Sequence, residues 1–476
     1  MRASLLLLAS LLLRSVDALS LSARDVPAVM TLDVRRRHIL DPVSRDRWRR
    51  KRSKTVSQTL DNEDTLYFCN ITLGTPEQQL RLAIDTGSSD LWCNAANSLL
   101  CRHRNLCSAS GAYDANSSST YNFLSSDFNI SYVDGTGATG DYVTDTITIG
   151  GTTLKNFQFG VGYTSTSAEG VLGIGYPSNE AQIVVNGDAA YANLPKAMED
   201  GGFINSNAYS LWLNDVEANT GTILFGGVDT EQYHDQLQTL PIQRVDGEYS
   251  EFIIALTGLS RTSGSSSSYT YGPLPIAVSL DSGSSLSYLP DSLVNSIYDD
   301  LQVSYDTSTG TPYVPCSMMD SDVNLTFTFS SPSIPVSMNE LVLGSSSWHS
   351  EACVFGIAPA GDSTAVLGDT FLRSAYVVYD LANNEISLAK TNFNATTHNI
   401  LEIGSGSGAV PNATPVSNPV TTVAVGGGGA RIGGPSETGS FTGTPKSAAA
   451  AIKPPKFFER LIIGIAGVEL LLIFCT

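Results

Sequence analysis

The sequence predicts an all-β (mainly β) chain folded as two lobes related by a pseudo-two-fold axis, with a few short helices. Three observations carry this. Between about residue 65 and residue 395, short alternating or apolar runs ("LYFCNITLG", "QLRLAID", "YVTDTITIG", "GTILFGG", "NLTFTF", "AYVVYDL") recur between clusters of Gly, Asn, Asp and Ser. That is the pattern of strands joined by tight turns. The phrase "AIDTGSSDLW" (83–92) returns as "SLDSGSSLSYLP" (279–290). A "VLG" triplet then follows each copy, 86 residues after Asp85 (171–173) and 85 residues after Asp281 (366–368). Two landmarks repeated in register mark two copies of one unit.

The chain has 476 residues, more than one core accommodates. Its segments read in order as follows. Leu5 to Leu13 form a short apolar run behind Arg2, followed by "SVDALS", so residues 1–18 are expected to be a secretory signal peptide. Residues 19–52 are read as a basic propeptide resting on an acidic body. Residues 1–52 hold 12 Lys and Arg against 5 Asp and Glu, a net of +7, and residues 53–476 hold 15 against 41, a net of −26. The boundary run "RWRRKRSK" (47–54) suits a furin- or kexin-type processing protease cutting after Arg52.

Residues 53–240 are the expected N-terminal lobe and 241–398 the C-terminal lobe. Two helices are predicted within them. One lies near "YANLPKAMEDGG" (191–202), with glycine as a stop. The other is "PDSLVNSIYDDLQ" (290–302), where Leu293, Val294, Ile297 and Leu301 share a face and Asp291 or Ser292 can cap. From 399 to 447 the composition turns to Gly, Ser, Thr, Pro and Ala, expected to be a flexible stalk. Residues 448–476 place a polar spacer before the apolar run "LIIGIAGVELLLIF", which is short for a membrane span. This order predicts a GPI-anchor signal that is removed.

Secretion organises the remaining surface signals. Sequons at Asn70, Asn116, Asn129, Asn324, Asn394 and Asn412 predict glycosylation. Seven cysteines without a C-x-x-C pair favour disulfides over zinc or redox use. The acidic body argues against nucleic acid as a partner, and relief of its self-repulsion by protonation favours work at acidic pH. His103, His234, His349 and His398 show no metal spacing, and neither H-E-x-x-H nor G-x-S-x-G occurs. No metal and no cofactor is therefore expected.

Two carboxylates brought together by two-fold symmetry share a proton, because their repulsion opposes a second ionisation. One can then take a proton from water while the other gives one to a carbonyl oxygen, which is hydrolysis by general acid–base catalysis. The glycine after each Asp-Thr or Asp-Ser lets the backbone turn and approach closely. The hydroxyls of Thr86, Ser88, Ser282 and Ser284 can bond the carboxylates and fix them. Asp90 and Asp369 are read as loop hydrogen-bond partners.

The motifs "DTGSSDLW", "DSGSSLSYLP" and the two VLG triplets resemble those of the pepsin-type aspartic proteases over about 65–395. The resemblance implies a bilobal pepsin-like fold and an aspartic endopeptidase hydrolysing peptide bonds. It implies Asp85 and Asp281 as the catalytic pair around an attacking water, with Ser88 and Ser284 as supporting hydroxyls. The segment "ISYVDGTGATGDY" (130–142) is similar to the family's flap hairpin. Tyr132 would be the flap tyrosine, bonding toward Trp92, and Asp134, Gly135 and Thr136 would bind the substrate backbone. Val133 stands where the family more often has glycine. The resemblance also implies the bridge Cys316–Cys353; Cys101–Cys107 closes a short loop, and Cys69 and Cys93 are left to pair.

Signal, basic-cut propeptide, stalk and anchor signal together resemble the yapsin-like fungal cell-surface proteases. The partners implied are extended peptides, a processing protease and, through a lipid anchor, the membrane or cell wall, with the chain a monomer. That group often prefers basic residues, but no acidic run lies between Trp92 and Tyr132. Cleavage beside large apolar residues stands level with it. The alternative function is a catalytically inactive pepsin-fold binding protein or cell-wall glycoprotein.

Overall fold

The computed structural model describes residues 28–37, 66–132, 136–218, 220–264, 267–344 and 352–423. The expected signal peptide, the expected cut after Arg52, the expected flap residues Asp134 and Gly135, His349 and the expected anchor signal lie outside them. Strands hold 47% of the structure and helices 14%, the β-rich balance that the repeating short runs predict.

The first lobe contains β1 (Met30–Arg37), β2 (Leu66–Leu73), β3 (Gln78–Asp85), β4 (Leu91–Asn94), β5 (Asn122–Ser131), β6 (Gly137–Ile149), β7 (Thr152–Ser165) and β8 (Gly170–Gly173). Strands β2 and β3 form a hairpin with Phe68 opposite Ala83, and β3 runs out at Asp85. The VLG strand β8 lies parallel to β3, with Asp85 beside Gly173, and antiparallel to β4 on its other side. Strands β5 and β6 form a long hairpin whose last pair is Ser131 with Gly137.

Further along the chain come β9 (Ala208–Trp212), β10 (Thr220–Phe225), β11 (Gly227–Asp229), β12 (Tyr233–Pro241), β13 (Ile253–Leu256), β14 (Gly258–Ser263), β15 (Ser267–Tyr271), β16 (Ile276–Leu280) and β17 (Ser287–Leu289). The first-lobe arrangement recurs here. Strand β13 pairs antiparallel with β16. The second VLG strand, Val366–Leu367, lies parallel to β16 and meets β17 antiparallel on its other side. The two halves thus repeat one topology around the two Asp-Thr/Ser-Gly turns. The core is continuous through both, from Leu82, Ile84 and Leu172 in the first half to Val278, Leu280 and Leu367 in the second.

The helix Asp291–Leu301 buries Leu293, Val294, Ile297 and Leu301, the face read from the sequence, and adds Tyr298. Its cap differs from expectation. Pro290 is the N-cap, so Asp291 falls in the first turn, and its Oδ1 accepts from the Gly361 N–H at 3.1 Å instead. The second helix, Leu194–Asp200, ends at Gly201.

Three expectations are corrected. The segment expected to be a propeptide does not simply rest on the body: β1 is inserted in the large sheet between β10 and β2, with Val34 opposite Gly221 and Arg35 opposite Phe68. Its alternating Met30, Leu32 and Val34 are buried, which is the period-2 pattern of a strand with one covered face. The stalk does not begin at 399. Ile400–Glu402 pairs with β11, Ala413–Pro415 pairs with β12, and Ile403, Val410, Val416 and Val423 are buried. Sparse Ile and Val anchors suffice because they dock on a core that already exists.

Finally, Cys69 and Cys93 are both free and buried. They lie on β2 and β4, and β3 and β8 stand between those strands in the sheet order. Three strand spacings of about 4.8 Å far exceed the Cα separation a disulfide spans. The bridges Cys101–Cys107 and Cys316–Cys353 are present.

Candidate active site

Both copies of the repeated phrase place an aspartate at the end of a core strand, followed by a turn that folds back on it. Asp85 Oδ1 accepts from the Gly87 N–H at 2.8 Å and Oδ2 from Ser88 Oγ at 2.6 Å. Asp281 repeats this with the Gly283 N–H at 2.7 Å and Ser284 Oγ at 2.8 Å. The glycines allow the two turns to meet face to face. A Cβ on Gly283 would lie 2.5 Å from Asp85 Oδ1 and 3.0 Å from Asp281 Oδ1, and one on Gly87 would lie 2.7 Å from Asp281 Oδ1. No side chain fits there, and both carboxyl groups reach the same small volume.

Thr86 and Ser282 do something other than orient the carboxylates. Thr86 Oγ1 donates to the Leu280 carbonyl at 2.9 Å and accepts from the Ser282 N–H at 3.0 Å. Ser282 Oγ returns the pattern, donating to the Ile84 carbonyl at 3.2 Å and accepting from the Thr86 N–H at 3.2 Å. Each hydroxyl crosses the pseudo-two-fold axis to the other lobe's backbone. Buried bonds of this kind lock the two turns together.

Above the turns, Trp92 Nε1 donates to Tyr132 Oη at 2.7 Å. The Tyr132 N–H bonds the Thr136 carbonyl at 2.9 Å, closing the tip of the β5–β6 hairpin. Trp92 packs among Phe128, Ile130, Ala138 and Tyr142, so the hairpin rests on an apolar cushion.

Asp90 is a loop hydrogen-bond partner, as read from the sequence. Its carboxyl accepts from Tyr142 Oη at 3.1 Å, Tyr191 Oη at 3.0 Å and the Ala181 N–H at 2.7 Å. Burial pushes that carboxyl up, against the pull of these bonds. Sequence reasoning missed its neighbour Glu180, which is fully buried. Burial raises the Glu180 carboxyl to about 9. Its Oε2 accepts from the Tyr191 N–H at 2.9 Å, and its Oε1 has no partner among the described residues. Glu251 was missed as well; burial and then the charge of Asp281 raise its carboxyl. Neither glutamate belongs to a motif, so only the folded chain brings them to the site.

Among the described residues no group of three or more His, Cys, Asp or Glu could hold a metal ion. His398 instead pairs with Asp229 at 2.7 Å. The sequons Asn70, Asn116, Asn129, Asn394 and Asn412 are exposed, and Asn324 is half-buried.

The sequence pattern of the eukaryotic aspartyl protease family matches residues 66–391. The chain belongs to this family. The protease is 63% identical over 483 aligned positions to the probable aspartic-type endopeptidase opsB of Aspergillus oryzae, covering 98% of this chain and 99% of that one. It is 35% identical to the aspartic proteinase yapsin-3 of Saccharomyces cerevisiae, over 74% of this chain and 71% of that one. Among solved structures, the aspartic proteinase from Irpex lacteus shares the fold, with a TM-score of 0.58 and 19% identity over 78% of this chain and 99% of that one. The protease is an aspartic-type endopeptidase, a hydrolase of peptide bonds.

Proposed function

We propose that Asp85 and Asp281 are the catalytic pair, working by general acid–base catalysis on a water molecule held between them at acidic pH. The observation that carries this is the convergence of both carboxyl groups on one small volume beside Gly87 and Gly283, each held by a glycine N–H and a serine hydroxyl. In the working state the pair shares one proton. The ionised carboxylate takes a proton from water as the oxygen attacks the peptide carbonyl, and the protonated partner gives its proton to the carbonyl oxygen. The tetrahedral product then collapses: the carboxyl that took the proton from water gives it to the amide nitrogen, the C–N bond breaks, and the other carboxylate takes a proton back from a hydroxyl of the tetrahedral carbon, which becomes the new acid. An extended peptide binds under the hairpin, where Tyr132 and Thr136 close over it with Trp92 behind.

The buried carboxyls of Asp90 and Glu180, both raised by burial, support a working range on the acidic side. We place the mature enzyme outside the cell, glycosylated and held at the plasma membrane or cell wall by a GPI anchor, after removal of the signal peptide and cleavage at Arg52. The signal, sequons and tail of the sequence support this. Phospholipase release from the cell surface tests the anchor; full retention counts against it.

The test of the mechanism is Asp85→Asn and Asp281→Asn in the processed protein. Each is expected to reduce peptide cleavage by about 10²–10⁴-fold, the scale at which acid–base groups contribute, with the melting temperature little changed. Wild-type turnover in either variant would refute the pair.

A further inference from the structure

Glu251 stands across the strand pair from Asp281. The antiparallel register of β13 on β16 runs from Leu256 opposite Ile276 to Ile253 opposite Ser279. It continues through a 3.2 Å bond from the Leu280 N–H to the Phe252 carbonyl. One more step sets Glu251 opposite Asp281. Directly opposed residues project on the same face of a sheet, so Glu251 shares the face of Asp281.

Its surroundings belong to the catalytic region. Ser178 Oγ donates to the Tyr249 carbonyl at 2.5 Å, and the Phe252 ring lies 5.2 Å from that of Tyr176. Asn179 Nδ2, one residue on, donates to the Gly87 carbonyl at 3.3 Å. Glu251 is therefore set where the loop after the first VLG triplet meets the catalytic turn of the first lobe.

The same step in the first lobe gives a different residue. From Phe68 opposite Ala83, the register leads to Leu66 opposite Asp85. Leu66 is buried with Phe68 and Ala83. The pseudo-symmetry is thus broken at one chemically important position: a leucine flanks one aspartate and a carboxyl group flanks the other. Glu251 is half-buried, and neither a hydrogen bond nor an ion pair involves it among the described residues. The one charge that acts on it is that of Asp281 across the strands, while the Arg244 guanidinium lies over the Tyr249 ring, 4.8 Å from its centre. A partly desolvated carboxyl without a cation is unfavourable, and an incoming cation would relieve it.

We propose that Glu251 is a specificity-determining residue, pairing with the cationic side chain of a substrate Lys or Arg bound on the Asp281 side of the scissile bond. This rests on the peptidase reading of the site given above. A substrate lacking that charge leaves Glu251 unpaired beside the catalytic pair.

The experiment uses peptide pairs that differ only by Lys or norleucine at each position flanking the cleaved bond. Cleavage by the processed enzyme is compared with that by Glu251→Gln and Glu251→Lys at pH 4 and pH 6. At one position the wild type favours Lys, more strongly at pH 6, where Glu251 carries more charge. In Glu251→Gln the ratio of kcat/KM for Lys over norleucine falls about tenfold or more, the scale of a charge-assisted bond. In Glu251→Lys the preference at that position turns to a Glu-bearing peptide. A ratio that does not move in either variant overturns the proposal while leaving the peptidase reading intact. No cleavage of any peptide by the processed wild type would overturn both.

Discussion

The buried Glu180 predicts how the protease loses stability with pH. In the folded chain its carboxyl is raised to about 9 by burial, against an ordinary value of 4.5. The sign follows from linkage. Below the ordinary value both folded and unfolded chains hold the proton, and the stability is fully present. As pH rises, the unfolded chain releases the proton first, and each pH unit between the two values costs the folded state about 1.4 kcal/mol. From pH 5 to pH 8 this single group removes up to about 4 kcal/mol. Asp90, raised in the same direction, adds to the loss. For a body of roughly 360 residues, about 4 kcal/mol corresponds to about 5 °C in melting temperature.

Glu180→Gln isolates the effect. The amide oxygen can still accept from the Tyr191 N–H, but the titration is gone. Thermal unfolding of the wild type and the variant at each pH from 5 to 8 is the assay. At pH 5 the two melt together within a degree or two; at pH 8 the variant melts several degrees higher. The general repulsion of the acidic chain acts on both alike, so the difference between them reports Glu180. Parallel curves over the whole range would refute the reasoning.

Two further predictions concern the core. Arg373 is fully buried and donates through Nε to the Glu340 carboxylate and through Nη2 to the Glu340 carbonyl at 2.5 Å. Arg373→Leu strands that carboxylate and is expected to cost about 3–5 kcal/mol in denaturant unfolding, with much of it regained in Arg373→Leu/Glu340→Leu; a single variant within 1 kcal/mol of wild type would contradict this. The thiols of Cys69 and Cys93 are buried, and burial pushes that of Cys69 up to about 12. Alkylation should leave both unmodified in the native protein and modify both after unfolding without reductant; finding them already bridged would show the strand order to be wrong.

Much of the site was legible because its chemistry is local. Asp85, Gly87 and Ser88 act on one another within a single turn, as do Asp281, Gly283 and Ser284, so each half of the site could be read from one phrase. The Tyr132–Trp92 bond was accessible only through family resemblance, since nothing in the spacing of 40 residues dictates it. Thr86 and Ser282 were misassigned for a related reason. Their hydroxyls are near enough to the carboxylates in sequence to suggest a local bond, but their partners are Leu280 and Ile84 of the opposite lobe.

The sequence by itself determined the two-lobed β architecture, the paired aspartates and the buried face of the Asp291–Leu301 helix. Those follow from periodicity and duplication, which are properties of short stretches. The tertiary structure decided the rest. It placed β1 inside the sheet, kept Cys69 and Cys93 apart with two strands between them, docked residues 399–423 on the body, and brought Glu180 and Glu251 beside the catalytic region. These outcomes depend on which strands become neighbours. Strand order joins residues far apart in the chain, and a pairing of that kind leaves no local periodicity to read.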